Sequence, residues 1–214
     1  VPFVSSLVNI TRIEVWVTNQ TNRVEDTRNI VALTDLGESN PDNWSGNPGG
    51  ASSNELPDNS SNNLYDYASN NPNIRGFNNA VVELESQNTS PGPFQQAVDF
   101  EKVENARKLT EQEFSYNAQL GFISVNLPLN NDEVLAVAYE YTYSGRTYQV
   151  GEFSTDGVVG QDALLLKLLK PTIISPKNKL WDLMMKNVYS IGAYQVSQEG
   201  FRLDILYNNP DNSL

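Results

Sequence analysis

The stretch DEVLAVAYEYTYSGRTYQVGEF, from Asp132 to Phe153, carries the strongest β-strand signal in the chain. Its first half is apolar on both faces, because Val134, Ala136 and Ala138 alternate with Leu135, Val137 and Tyr139. A strand that is apolar on both sides lies in a sheet that is covered on both faces. Ser144-Gly145 can form a tight turn, since glycine readily adopts a positive φ. The pattern therefore predicts two antiparallel strands, Glu133–Tyr143 and Arg146–Phe153.

Outside this hairpin, short alternating or apolar runs predict further strands and a few helices. Thr11–Asn19 alternates strictly, and Arg28–Leu36 is expected to return beside it as a hairpin partner. The remaining predictions are a short strand at Ala80–Glu85, a helix within Val98–Leu109, a hairpin of Phe114–Tyr116 and Gly121–Asn126, a strand at Asp162–Leu169, a helix at Leu180–Ser190, and a last hairpin of Ala193–Ser197 and Phe201–Tyr207.

The many short strands predict a mainly β fold, an antiparallel sandwich-like or open-barrel module with two or three short helices. An α+β fold is the alternative. We expect residues 1–214 to form a single module cut from a longer protein. Residues 39–73, rich in Asn, Ser, Gly and Pro, are expected to form a long loop within it, held by a few apolar side chains.

The composition excludes several classes of function. The net charge is −12, from 26 acidic and 14 basic residues, and such a surface repels nucleic acid and anionic lipid. The chain has no cysteine and no histidine, which excludes disulfides, thiolate sites and every catalytic mechanism that uses a histidine base. No apolar run approaches the 18 residues or so of a membrane-spanning helix. We therefore expect no membrane span.

Catalysis by carboxylates and metal binding by oxygen ligands remain possible for this composition, but no motif supports either strongly. Glu104 with Asp132 or Glu133 is a candidate carboxylate pair for glycoside hydrolysis. The segment Asp42–Asn47 offers oxygen ligands for calcium but lacks the acidic pattern of a calcium-binding loop. Several Asn-x-Ser/Thr sequences arise readily in a chain so rich in Asn and Ser. We expect no catalytic residue, no cofactor and no metal site.

Five aromatic residues are candidates for an interaction surface: Trp16, Trp44, Tyr141, Tyr143 and Trp181. Trp16 lies on the polar face of its strand, and the two tyrosines share one face of theirs. Aromatic side chains are enriched in protein interfaces. The alternative, favoured for Trp16 and the tyrosines, is that these side chains pack in the core on the second face of the sheet.

Several segments together resemble an internal region of the SprA family, the outer-membrane proteins of gliding motility and type IX secretion in Bacteroidetes. They occur in the same order over most of the chain, and the region 39–96 is the least covered. The segments are ITRIEVWVTN (10–19), TRNIVAL (27–33), DLGE (35–38), ENARKL (104–109), LGFIS (120–124), DEVLAVAYEYTY (132–143), TYQVGEFSTDG (147–157), LLKLLK (165–170) and WDLMMKNVY (181–189).

The resemblance implies a non-catalytic, soluble structural or interaction module of an outer-membrane protein translocon. Its partners would be other parts of the same translocon chain, outer-membrane partner proteins and secreted cargo. It would lie at the outer membrane, on the periplasmic or the extracellular face. A carbohydrate-binding or adhesin-like β-domain of a surface protein is the alternative function, and an exposed coplanar pair among Trp16, Trp44 and Tyr141 would favour it.

Overall fold

The computed structural model describes residues 7–21, 23–39, 56–86 and 93–185, with 197, 199, 200, 202 and 204. The chain divides into two compact units, Val1–Leu183 and Met184–Leu214. The described strands of the first unit are β1 Val8–Val17, β2 Thr27–Leu33, β3 Phe100–Lys108, β4 Phe114–Asn117, β5 Phe122–Val125, β6 Leu135–Tyr143, β7 Arg146–Val150 and β8 Leu164–Lys170. Its helices are α1 Leu64–Asn70, α2 Pro72–Arg75, α3 Ala80–Glu85 and a 3-10 helix Lys179–Leu183.

Five strands close into a barrel-like ring in the order β1-β3-β2-β8-β6, because β6 also pairs with β1. β2 and β8 run parallel, whereas the other neighbours in the ring are antiparallel. β7 extends the sheet from β6 beyond the ring. The fold is thus mainly β with short helices, which confirms the predicted class.

The interior of the ring is filled by side chains from all five strands. It combines one large residue, Trp16, with four alanines and a group of aliphatic residues. Small and large side chains together fill the narrow interior of a small barrel. The interior residues on the strands are Trp16, Ile30, Ala32, Val103, Ala106, Ala136, Ala138, Leu164, Leu166 and Leu168.

Two further layers cover the outside of the ring. On one side, α1 to α3 pack through Leu64, Ile74 and Leu84 against the outer face of β2, β3 and β8. On the other side, the β4–β5 hairpin packs on β1 and β6. The central strand β6 is therefore apolar on both faces because one face lines the interior and the other meets the hairpin layer.

The predicted hairpin within Asp132–Phe153 is confirmed as β6 and β7. Tyr143 pairs with Arg146 across the turn, and Ser144 and Gly145 both have positive φ, 48° and 77°. This conformation matches the twist of a two-residue hairpin turn. The structure also confirms strands at the predicted positions of β1, β2 and β8, and the hairpin of β4 and β5.

Three predictions about local structure are wrong. Ala80–Glu85 is helix α3, because Ala80 and Leu84, four positions apart, both enter the core under the helices. The predicted helix Val98–Leu109 is strand β3. The predicted β1–β2 hairpin does not form, because β3 lies between the two strands, with Arg107 opposite both Val17 and Thr27.

The error at β3 has a clear cause. Val103 lies opposite Ile30, and Ala106 lies opposite Arg28. Three residue steps along β3 therefore correspond to two along β2. The extra residue is accommodated by Asn105, which has a φ of 49° and whose N–H donates to the Asn29 side chain at 3.0 Å. This β-bulge places apolar residues three apart, and that spacing also fits a helix.

The predicted loop 39–73 ends earlier than expected, since α1 and α2 occupy Leu64–Arg75. Residues 40–55 lie outside the described residues. Where the helix Leu180–Ser190 was predicted, the structure has the 3-10 helix Lys179–Leu183, in which Leu180 is buried but Leu183 is 52% exposed, and residues 186–190 lie outside the described residues. The last predicted hairpin lies almost entirely outside the described residues of the second unit, where the Glu199 N–H donates to Ser197 Oγ.

Within the described part of the chain, no helix combines the length and the apolar character needed to cross a lipid bilayer.

Candidate functional site

The tyrosines of the β6–β7 hairpin form a stacked face. The Tyr141 ring lies 6.0 Å from the Tyr139 ring and 5.2 Å from the Tyr148 ring, with interplanar angles of 29° and 18°. Tyr141 and Tyr148 are opposite each other in the strand pairing, which accounts for the closer stack. The two-residue period of β6 therefore creates the aromatic face that the sequence indicated.

This aromatic face is covered by a short segment of the same chain, Leu56–Asn59. Tyr141 Oη donates to the Pro57 carbonyl at 2.6 Å, and Tyr141 is only 3% exposed. Burial, together with nearby Asp58 and Tyr148, raises the pKa of Tyr141 to about 12. Tyr141 is thus a neutral hydrogen-bond donor that holds the covering segment.

The covering segment also pairs with the free edge of β7. Asp58 Oδ1 accepts the Gln149 N–H at 3.0 Å, and the Asn59 N–H donates to the Gln149 carbonyl at 2.8 Å. The Asn59 side chain forms two hydrogen bonds with Gly151. Asn59 Oδ1 accepts the Gly151 N–H at 2.8 Å, and Asn59 Nδ2 donates to the Gly151 carbonyl at 3.1 Å. An open strand edge is thereby closed by two side chains and one backbone contact.

The turn after β2 lies on the other side of the covering segment from the β7 edge. The Asp58 N–H donates to the Gly37 carbonyl at 2.9 Å, and Gly37 has a φ of +71°. A Cβ there would lie 2.9 Å from both methyl groups of Val150. The site therefore requires glycine. We name the space bounded by Gly37, Tyr141 and the β7 edge the 57–60 groove, because Pro57–Ser60 occupies it.

An ion pair between a buried lysine and a partly exposed glutamate joins the neighbouring turn to the barrel. Lys167 on β8 is 6% exposed, and its Nζ donates to the Thr34 carbonyl and to Glu38 Oε1. Asn62 Nδ2 donates to the Asp35 and Glu38 carbonyls at 2.9 and 2.8 Å. The turn that forms one wall of the 57–60 groove is therefore held by hydrogen bonds from Lys167 and Asn62.

A second polar cluster lies where the loop after β7 crosses one end of the ring. Glu14 accepts the Ser154 N–H at 2.9 Å and the Ser154 hydroxyl at 2.8 Å. Lys108 Nζ lies 3.1 Å from Ser154 Oγ and 3.6 Å from Glu14. Phe153, the preceding residue, is fully buried in the barrel interior.

Two arginines hold the rest of this loop. The Arg12 guanidinium lies 3.7 Å from the centre of the Phe153 ring and also bonds to the Thr155 hydroxyl. Arg28 donates to the carbonyls of Val158 and Val159 at 3.0 and 2.8 Å. The loop is therefore bound to β1 and β2 through its backbone and hydroxyl groups.

The contact of Ser154 with Lys108 has the composition of a serine–lysine nucleophile, but its bonding is that of a structural clamp. A lysine base must be neutral to accept the serine proton. Here Lys108 Nζ donates to Ser154 Oγ and lies 3.6 Å from the Glu14 carboxylate, and Glu14 accepts the serine hydroxyl directly. The cluster can fix a loop but is not arranged for acyl transfer.

A third group joins the helices to the barrel. Arg75 at the end of α2 contacts both carboxylate oxygens of Glu152 at 2.6 Å, and Tyr65 Oη donates to the same carboxylate at 2.9 Å. Burial first, and then Glu152, raises the pKa of Tyr65 to about 12. Burial opposes the charge of Arg75, but Glu152 outweighs it, so the pKa of Arg75 is raised.

The five aromatic candidates do not form one exposed surface among the described residues. Trp16 is 1% exposed in the barrel interior and Tyr141 is buried under the covering segment, so both are core residues, as the core-packing alternative predicted. Their burial removes them from an exposed coplanar glycan-binding pair. Tyr143 and Trp181 are half-buried, and Trp44 lies outside the described residues.

The other candidate sites receive little support. Glu133 is buried, and its carboxylate accepts the Asn130 N–H at 2.6 Å, so it closes a turn, whereas Glu104 and Asp132 are exposed. The described ranges contain no group of three or more acidic side chains suited to a metal ion. The candidate calcium loop Asp42–Asn47 lies outside those ranges.

Sequence reasoning missed the residues that organise these sites, namely Asp58, Asn59, Glu14 and Arg75. The sequence signal that could have drawn attention to the first two is the tripeptide Pro-Asp-Asn, which occurs at 41–43, 57–59 and 210–212. Glu14 and Arg75 carry no local signal, because their partners are more than 70 positions away along the chain.

Comparison with protein-family models finds no family that matches this chain. A search of curated proteins likewise finds no significant relative.

Proposed function

We propose that the chain is a non-catalytic structural and interaction module of an outer-membrane protein translocon, of the kind used in type IX secretion and gliding motility. The resemblance of its segments to the SprA family supports the assignment to type IX secretion and gliding motility. Its buried charged groups bond to other segments of the fold, which supports the non-catalytic role. The module would lie on the periplasmic or extracellular side, in contact with other parts of the translocon chain, partner proteins or cargo.

The observation that carries the proposal is that buried charges join segments of the fold. Glu101, 2% exposed, accepts the N–H and the hydroxyl of Thr172 at 2.7 and 2.6 Å. Arg107 forms a two-point contact with Glu113 at 2.7 and 2.8 Å. An active site instead leaves charged groups facing a cleft with perturbed pKa values and room for a substrate.

The layered barrel suits a rigid insertion in a larger assembly. The ring is covered on one side by helices and on the other by a hairpin, and its free β7 edge is closed by Asp58 and Asn59. Closing an edge in this way prevents uncontrolled strand pairing between modules. The acidic surface further disfavours self-association and anionic lipid.

The experiment is performed in a strain whose secretion depends on the parent protein. Deletion of Asp132–Phe153 removes the central strand of the ring, so we expect secretion of cargo into the medium to stop. Immunoblots of the supernatant measure secretion, and immunoblots of the outer-membrane fraction measure the amount of parent protein. Normal secretion from the deletion strain would refute the proposal.

Two point variants distinguish a structural role of Ser154 and Lys108 from a catalytic one. Ser154→Ala and Lys108→Met remove the contact between the Lys108 ammonium and the Ser154 hydroxyl but keep the strands intact. A structural module retains cargo secretion in both strains as long as the parent protein reaches the outer membrane. Loss of secretion with a normal amount of folded parent protein would show that these side chains have a chemical role.

A further inference from the structure

The longest uncharged run of the chain lies at residues 114–131, FSYNAQLGFISVNLPLNN, and it contains both strands of the β4–β5 hairpin. It has 18 residues without a charge in a chain whose net charge is −12. Two copies of an acidic protein repel each other wherever their charged surfaces meet. The β4–β5 hairpin is therefore the surface at which a second copy of the chain meets the least repulsion.

β5 is an edge strand of this hairpin. Among the described residues it pairs only with β4, in a sheet of two strands. The Asn126 N–H donates to the Glu113 carbonyl at 2.8 Å, so the backbone of Asn126 faces β4. Because this orientation alternates along a strand, the N–H and C=O groups of Ile123 and Val125 point away from β4. They form a short row of donors and acceptors to which another strand can bond.

The β4 side of the hairpin is instead packed against the barrel. Phe114 is 8% exposed and lies in the same apolar cluster as Val15 of β1. The Ile10 N–H donates to the Ala118 carbonyl in the turn of the hairpin at 3.0 Å. Ser124, in the middle of β5, is exposed. Of the two edges of the hairpin, β5 is thus the one that a second strand can reach.

We propose that β5 pairs antiparallel with β5 of a second copy of this chain, about a two-fold axis at Ser124. In this register, Ile123 of each copy exchanges two backbone hydrogen bonds with Val125 of the other, and the two copies of Ser124 lie opposite each other. The outward backbone groups of both strands are then bonded, and no charged side chain enters the contact. The two hairpins become one four-stranded sheet.

The register also limits the assembly to two copies. Pro128 has no N–H and cannot extend the row of bonds on one side. The turn between β4 and β5 ends the row on the other side. A two-fold contact uses the same edge in both copies, so it closes and does not continue into a fibre. Because a short strand edge buries little surface, we expect a weak, exchanging dimer.

A charge placed on the axis tests the pairing. Ser124→Lys sets two like charges directly opposite each other, where the Cα atoms of such a pair are about 4.5 Å apart. We expect it to weaken dimerisation by about tenfold, as measured by sedimentation of the full chain at up to about 1 mM. Ser115→Lys is the matched control, because Ser115 is also exposed and lies opposite Ser124 but one strand away from the axis.

A mixture of complementary variants makes the test specific. Ser124→Lys and Ser124→Glu should each be monomeric alone and should form a heterodimer when mixed. Added salt should weaken this heterodimer and strengthen the dimer of the unsubstituted chain, because it screens the attraction in the first and the net repulsion in the second. An unsubstituted chain that is monomeric throughout, or equal effects of Ser115→Lys and Ser124→Lys, overturns the proposal.

Hydrogen exchange of the unsubstituted chain tests the same register without any substitution. The amides of Ile123 and Val125 should exchange more slowly as the protein concentration rises, whereas the Ser124 amide, which faces β4, provides the reference. Dimerisation without this slowing would place the contact on another surface and overturns the proposal. Protection of Ile123 and Val125 that is independent of concentration also overturns it, because the edge would then be covered within one copy.

Discussion

The guanidinium of Arg75 contacts both oxygens of the Glu152 carboxylate at 2.6 Å, and the Glu152 side chain is only 4% exposed. The same carboxylate accepts the Leu165 N–H at 2.9 Å, and Arg75 donates to the Ala163 carbonyl at 2.9 Å. One ion pair thus joins the helical layer, the end of β7 and the start of β8.

Replacing Glu152 with Gln is expected to lower the free energy of unfolding by about 3 kcal/mol. The substitution leaves the arginine charge without its partner in a largely buried position, which is the costly way to break an ion pair. Denaturant unfolding followed by circular dichroism measures the change. Asp204→Asn provides the control, because its pair with Arg202 is exposed and should contribute nothing measurable. Equal effects of the two substitutions would contradict the prediction.

The pH dependence of stability should reveal the two tyrosines that hold Glu152 and Pro57. Burial raises the pKa of both Tyr65 and Tyr141 from 10.0 to about 12. Because the folded state retains these protons longer than the unfolded state, their stabilisation is complete below pH 10 and is lost as the pH rises towards 12. The Tyr65→Phe, Tyr141→Phe double variant should show a shallower loss over that range. An unchanged slope would refute this assignment.

Gly37 and Gly121 form a matched pair for testing the wall of the 57–60 groove. Both have positive φ, +71° and +68°, but a Cβ meets Val150 at 2.9 Å only at Gly37 and meets nothing within 4 Å at Gly121. We expect Gly121→Ala to cost about 1 kcal/mol, from backbone strain alone. Gly37→Ala should cost about 3 kcal/mol, because overpacking adds to the same strain. Thermal unfolding compares them, and equal costs would exclude the steric contribution.

Trp16 is expected to be the most sensitive side chain of the barrel interior. Truncation to alanine should lower the free energy of unfolding by about 4 kcal/mol, since it leaves a cavity among side chains from several strands. Trp16→Phe should cost less than its loss of volume implies, because Nε1 is buried without a hydrogen-bond partner among the described residues. Trp181→Phe, at a half-buried position, is the control and should change stability little.

The hairpin of β6 and β7 was predictable because its signals are local. Alternation along β6 separates Ala136 from Val137 by face, and the Ser144-Gly145 turn fixes the pairing of the two strands. The helix α3 was not, since the sequence AVVELE suits a strand by propensity. Packing of Ala80 and Leu84 under the helical layer overrides that preference. Likewise, the bulge at Asn105 gave β3 a helical spacing.

The aromatic residues show the same division at the candidate site. The sequence correctly places Tyr139, Tyr141 and Tyr143 on one face of β6, because successive side chains of a strand alternate. It did not reveal that Leu56–Asn59 covers this face, since the covering segment lies 84 positions from Tyr141 along the chain. Exposure depends on such distant contacts, which a local pattern does not contain.

Composition and short-range periodicity suffice to establish the mainly β class and the central two-sided hairpin, and to exclude chemistry that needs cysteine or histidine. They do not contain the closure of the five strands into a ring, with β3 between β1 and β2 and with β2 parallel to β8. Nor do they contain the inward orientation of Trp16 or the closure of the β7 edge by Asp58 and Asn59. These features depend on pairings between residues far apart in sequence, whose stabilisation appears only when the whole ring is assembled.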